Sequence, residues 1–409
     1  MNPHPLFASR PVTYCLVPAT LVLGLGLLSA ARATGQTSAE PSRPQAISAA
    51  ALQQAVDHLG DLDDAVRIGA ARTIRRVPAD EAVPALVQAV LKNTDQYVRY
   101  KALVLLTGFG GPEVHRTVGD VIEDRNDRLR AVAYAYYEHN PDPAAVFALL
   151  AALDRETAEF VRPALIRALA AHGSDPRVRP ALLEAIGHGE NLFRGAAIEA
   201  LGDYRAAWAV DALVEVAKPR GPLQDDAILA LGKIGDRQAL APIIALQQTA
   251  SPDTQPILSA AICLLGLHCA SHLSYLDQTL RFAEHTYGYQ PLLRSTVRGL
   301  TALGVRGDAQ ALTMLLSVGL ATHEDAARGP IALGVATIAL RNPLFMLKSL
   351  ATYPDRKGGI DLLADGFDMV SNDYEKERFY VAARHAYWSA PDGSPTRQLM
   401  AALIQTLNF

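Results

Sequence analysis

Arg67, Arg99, Arg130, Arg162 and Arg194 lie 32, 31, 32 and 32 residues apart. Each follows an apolar residue, in turn Val66, Val98, Leu129, Val161 and Phe193. A fixed period of this length is the mark of stacked repeats, in which each unit buries its apolar face only against its neighbours. The chain's 409 residues, 50% of them hydrophobic, therefore need not divide into two or three separate globular domains. Net charge is −4, from 38 basic and 42 acidic residues, which offers no basic footprint for nucleic acid.

A second landmark refines the unit. Ala-Leu-Gly occurs at Ala200-Leu201-Gly202, Ala230-Leu231-Gly232 and Ala302-Leu303-Gly304. Weaker versions stand at Thr73-Ile74, Leu105-Leu106, Tyr136-Tyr137, Ala168-Leu169 and Leu264-Leu265-Gly266. Four residues before the landmark comes, in most segments, a small residue: Ala70, Ala102, Ala133, Ala197, Ala227, Ala261 or Gly299. Eight residues before it comes an apolar one in seven of the eight segments. This spacing is one face of an α-helix, and a small residue at its centre lets two helix backbones approach. A second amphipathic segment separates successive landmarks, for example Ala82 to Leu91 and Ala144 to Leu153. Asp or Pro usually precedes it, as helix starts require. Each unit is thus two antiparallel helices, and no segment alternates with the period of a strand.

Asp64-Ala65-Val66-Arg67 through Ala70 and Ile74, and Asp127-Arg128-Leu129-Arg130 through Ala133 and Tyr137, resemble the HEAT repeat of the bilin-lyase-like subtype. The resemblance implies an all-α superhelix, a HEAT-like solenoid, with a helical C-terminal cap. It is regular over 47–250 and looser over 251–351; residues 352–409 form the expected cap. In HEAT arrays such arginines build a ladder with acids at the start of the same helices. That assigns Asp64, Asp95 and Asp127 as partners of Arg67, Arg99 and Arg130, with Arg162 and Arg194 continuing the column.

The N-terminus reads as an export signal. Arg10 precedes an apolar run from Val12 to Leu28, and Ala31-Arg32-Ala33 offers a cleavage site, giving a mature start near Thr34 and a periplasmic or secreted protein. Residues 34–46, rich in Thr, Ser, Pro and Gln, read as a flexible linker. The alternative is an uncleaved membrane anchor; cleavage leaves no membrane insertion. Cys263 and Cys269 then remain. On one helix their sulfurs point to different faces, so a bridge requires the helix to end between them, at Gly266; two buried thiols are the favoured reading.

Catalytic patterns are sparse. His268, Cys269 and His272 form the only metal-like cluster, and an ordinary turn is the favoured reading there. HEAT hydroxylases of the deoxyhypusine type use four His-Glu pairs; this chain has one, His323-Glu324. There is no nucleophile elbow or phosphate loop. No cofactor is expected. The expected function is a non-enzymatic scaffold in the bacterial envelope that binds another protein or peptide on its concave helix row. The alternative is a HEAT-type metal-binding protein or an oxidoreductase- or lyase-like enzyme. Tyr97, Tyr100 and Tyr134 fall off the core offsets and read as exposed, which makes them, with Lys101, Arg72 and Arg167, the expected contact residues. A C-terminal aromatic cluster, Phe367, Tyr374, Phe379, Tyr380, Tyr387 and Trp388, reads as the cap.

Overall fold

A computed structural model describes residues 45–322 and 324–409. The expected export signal, most of the expected linker and His323 lie outside the described residues. Among those described, helices alternate between two rows and no strand occurs. The inner row is α2 (Asp64–Arg75), α4 (Gln96–Thr107), α6 (Asp127–His139), α8 (Arg162–Ala171), α10 (Asn191–Asp203), α12 (Gln224–Ile234), α14 (Gln255–Leu264), α16 (Gln290–Val305), α18 (Asp325–Arg341) and α20 (Arg356–Asp368). The outer row is α1 (Ala49–Asp57), α3 (Ala79–Lys92), α5 (Pro112–Asp120), α7 (Val146–Leu153), α9 (Val178–Gly187), α11 (Val210–Ala217), α13 (Leu240–Gln247), α15 (Cys269–His285), α17 (Ala309–Ala321) and α19 (Pro343–Thr352). Two further helices, α21 (Asp373–Ser389) and α22 (Pro395–Thr406), complete the chain. Among the described residues no single helix is long and apolar enough to cross a membrane.

Local chemistry sets the helix starts. Asp63, Asp95, Asn126 and Asp308 each accept a backbone N–H from the first turn of the helix that follows. They satisfy donors that the helix leaves free, typically worth about 1 kcal/mol each. Each inner helix then packs on the next inner helix two elements along. The landmark leucines and the small residues before them are buried: Leu201, Leu231, Leu303, Ala197, Ala227 and Ala261 are at most 2% exposed. One apolar core runs from Leu52 to Phe409.

Two features depart from expectation. The paired array continues past residue 351, because α20 packs on α18 as a tenth inner helix; its Gly359, Gly366 and Phe367 are buried although it lacks the repeat's landmark. Cys263 and Cys269 are bridged, with Cα atoms 4.2 Å apart. The condition for a bridge is met: α14 stops at Leu264, Gly266 turns the chain at φ 81°, and α15 begins at Cys269. The favoured reading of two free thiols is therefore corrected.

Candidate functional site

The arginine column makes contacts that hold units together, but mostly not with the acids expected. Arg67 pairs with Asp64 at 2.7 Å. Arg99 instead reaches Asp124 at 2.6 Å, and Arg130 reaches Glu156 at 2.7 Å, each in the turn before the next inner helix. Arg162 lies over the Phe193 ring of the following unit, 4.0 Å from its centroid. Arg194 donates to the Ile186 carbonyl near the end of α9. Asp95 caps α4, and Asp127 sits in the first turn of α6 without bonding Arg130. At a helix start a carboxylate serves the free N–H groups and the positive end of the dipole better than a side chain one turn on. The true partner position is six residues before the next arginine. It reads Asn93, Asp124, Glu156 and His188, so only two rungs are ionic.

A second row of charge, not anticipated, lies on the C-terminal turns of the inner helices and alternates in sign. Arg167 on α8 donates to Glu138 of α6 and to Asp203 of α10, both at 2.8 Å. Lys233 on α12 lies 2.9 Å from Asp203. Arg341 on α18 reaches Glu138 at 3.0 Å and Glu375 of α21 at 3.5 Å. Burial alone would raise these carboxyls. Lys233 and Arg167 instead pull Asp203 well below the usual carboxylate range, and His139 and Arg341 do the same for Glu375. The signal was present in sequence, since Gly202-Asp203 and Gly232-Lys233 occupy the same register with opposite charge.

Helix α21 lies on the inner face of the first units. Asp373 and Glu377, four residues apart, share one side of it. Asp373 accepts from Lys101 at 2.5 Å and from the Tyr100 hydroxyl at 2.9 Å, while Glu377 pairs with Arg75 at 2.6 Å. Glu375, on the other side, lies 2.7 Å from His139 Nε2. Beyond α22, Asn408 accepts from Arg72 at 2.8 Å, and Phe409 stacks on Tyr380 with centroids 3.9 Å apart. Phe367, Tyr374, Phe379 and Tyr387 are buried beneath this cap.

The six residues expected to meet a partner are therefore placed differently. Arg72, Tyr100 and Lys101 hold the chain's own C-terminal segment. Tyr134, expected to be exposed, is 1% exposed; its hydroxyl donates to the Ile122 carbonyl, and burial pushes its pKa up to about 12. Arg167 is buried in the alternating row. Tyr97 stays half-buried, its ring beside Lys101 and Arg128. Offset counting identifies the face of a helix, not the distant segment that covers it.

Two clusters bear on metal chemistry. The ligand atoms of Glu138, His139 and Glu375 lie within 4.8 Å of one another. Arg167, Arg341 and Arg378 already bond those two carboxylates. Three guanidiniums against two carboxylates make this an ion network that repels a further cation. In the His268, Cys269 and His272 cluster, Cys269 is spent in the bridge to Cys263 and offers no thiolate.

Open space on the inner face lies farther along. A cavity of about 540 Å³ is walled by α10, α12, α16 and α18. Leu229, Val297, Val305, Leu333 and Met369 supply apolar surface, and Leu333 and Met369 stay 42% and 49% exposed. Glu199, Asp203, Asp226, Lys233, Arg294, Arg298 and Arg341 supply charge. Gly329 lines it too, and a Cβ built there would meet only Met369 Sδ, at 3.9 Å. The volume and the mixed lining are those of a ligand pocket.

Comparison with known proteins agrees with the repeat. The family model described as HEAT repeats matches residues 49–138 and 146–224, and that of the PBS lyase HEAT-like repeat matches residues 223–249. No curated protein matches the chain. Among solved structures, human deoxyhypusine hydroxylase in complex with glycerol is 17% identical, covering 64% of this chain and 96% of that one, with a TM-score of 0.28. The complex of CpcE and CpcF of phycocyanin lyase from Nostoc sp. PCC7120 is 16% identical, covering 80% and 96%, with a TM-score of 0.32. Importin beta is 14% identical, covering 88% of this chain and 59% of that one, with a TM-score of 0.35. The chain thus spans less than two thirds of importin beta. The family matches end at residue 249, just before the Ala-Leu-Gly landmark loses its regular spacing.

Proposed function

We propose that the chain is a non-enzymatic scaffold that binds another protein on the open part of its inner helix row, between α10 and α18. The observation that carries this reading is the cavity. The inner face of the first units is filled by α21, whereas here apolar side chains and charges face unoccupied space. An exposed apolar floor with a charged rim is the anatomy of a recognition surface. A metal-dependent or lyase-like reading gains nothing from it, because Glu138, His139 and Glu375 lie against α21 with their carboxylates already matched to arginines.

The test uses soluble random decapeptides with free C-termini, sorted for binding to the full chain. Selected peptides are expected to lose at least tenfold in affinity for Gly329→Trp, which fills the cavity from a helical position with room for a side chain. They should keep their affinity for Tyr97→Ala. Binders indifferent to Gly329→Trp would refute the assignment.

Export belongs to the same proposal. An apolar N-terminal run and a bridged cysteine pair both fit an oxidising compartment outside the cytosol. Protein recovered from its native cell should begin near Thr34; an intact Met1 in the recovered protein contradicts cleavage.

A further inference from the structure

The charges lining the cavity are paired except for one cation, and that cation identifies what the cavity is built to hold. Its three acids are each matched: Asp203 to Lys233 at 2.9 Å, Glu199 to Lys233 at 3.9 Å, and Asp226 to Arg298. Of its four cations, Lys233 and Arg298 are thereby engaged, Arg298 also by Asp225 at 3.7 Å, and Arg341 is held by Glu138 at 3.0 Å. Arg294 is the fourth. It is exposed, it lines the cavity, and among the described residues it has no ion pair or side-chain hydrogen bond. Arg294, Arg298, Thr301 and Val305 follow one another at helical spacing along a single stripe of α16. The two guanidiniums, four residues apart, repel each other. Farther down the stripe the Thr301 hydroxyl is buried with no hydrogen-bond partner. Leu229, Val297, Val305 and Leu333 then form an apolar floor.

One unmatched positive charge, one unused buried hydroxyl and an apolar floor suit a monoanion with an apolar body. Resting on the groove reading above, we infer that the cavity takes the C-terminal end of a peptide, its free carboxylate on Arg294 and an apolar last side chain on the floor. An internal peptide segment offers no carboxylate in this position unless it carries an acidic side chain, and such a side chain brings no apolar group on the same residue. A chain end supplies both within a few bonds. A guanidinium bonds a carboxylate with two parallel N–H donors, which makes Arg294 a selective reader of that end.

The experiment takes the decapeptides selected on the full chain and resynthesises them as free acids and as C-terminal amides, with fluorescence anisotropy as the readout. Sodium decanoate is run as a competitor to represent a small carboxylate that is not a chain end. The free acid should bind at least tenfold tighter than the amide. Arg294→Gln should erase that preference while leaving the weaker amide binding unchanged, and Arg294→Lys should keep part of it. Thermal melting of each variant shows that it is folded. Equal binding of acid and amide, with both lost in Gly329→Trp, overturns the carboxylate inference and leaves the groove reading intact. Peptide binding that ignores Gly329→Trp overturns both. Decanoate binding without any peptide binding overturns the chain-end assignment and gives the site to a free carboxylate.

Discussion

Glu138 sits where two chains of charge meet. It accepts from Arg167 of the neighbouring unit and from Arg341 of α18, 203 residues away in sequence. Buried acids of this kind make stability depend on pH. Glu138, Asp203, Glu375 and Glu377 all have folded-state pKa values below their ordinary values, because the arginines, lysine and histidine around them outweigh burial. A carboxyl lowered in this way contributes stability above its ordinary value, and that stability is lost as pH falls through the folded value. Asp225 and Asp226 are raised by burial, so their contribution is present at low pH and disappears as pH rises. Asp124, Asp142, Glu156, Asp175 and Asp373 are lowered as well, so nine lowered carboxyls oppose two raised ones. Melting temperature should therefore hold near neutrality and fall once pH drops below the ordinary 4.5 of a glutamate, as circular dichroism would show. A melting temperature that rises steadily from pH 6 to pH 3 would mean the buried network is not ionised as described. None of this was legible from the arginine column, which draws the eye to helix starts rather than helix ends.

At the scale of the helix, the glycines of the Ala-Leu-Gly landmark set how closely units stack. A Cβ built at Gly202 would lie 2.7 Å from the Ala230 Cα, and one at Gly232 would lie 2.7 Å from the Ala261 Cα. These are backbone atoms of the next inner helix and cannot step aside. Gly232→Ala should therefore destabilise the chain by about 1–3 kcal/mol through overpacking, although alanine alone favours helix by about 1 kcal/mol. Gly329→Ala, in open space, should be neutral or stabilising. Urea titration of both variants checks the contrast, and equal effects would contradict it. The two-helix unit, the caps and the small-residue column were all readable from sequence. They depend on residues within one or two turns of each other, and their spacing survives in the chain. The finer assignment was readable only in part. Small residues four positions before the landmark were expected to make the close approach, and Ala261 and Gly299 do; the landmark glycines Gly202 and Gly232 also meet the next helix, at Ala230 and Ala261. Ala332-Leu333-Gly334 repeats the landmark out of frame, with its leucine half exposed in the cavity.

Across the whole described chain, the least local feature is the docking of α21 and of the residues after α22 on the first units. Arg75 and Glu377 are 302 residues apart and bonded, and Tyr100 meets Asp373 across 273 residues. No periodicity reports such a contact, which is why Tyr100, Lys101 and Arg72 read as free for a partner. The tyrosines and cations that break the repeat mark a real meeting place, but what meets them is the end of the same chain. With that face filled, the proposed recognition surface is the cavity between α10 and α18. Amide hydrogen exchange on the full chain tests this division most directly. If α21 is a fixed part of the core, its amides from Tyr374 to Tyr387 should open with the same free energy as those of α6 and α8. If they exchange at the rate of an exposed, detached helix while α6 stays protected, the inner face of the first units is open and the division fails.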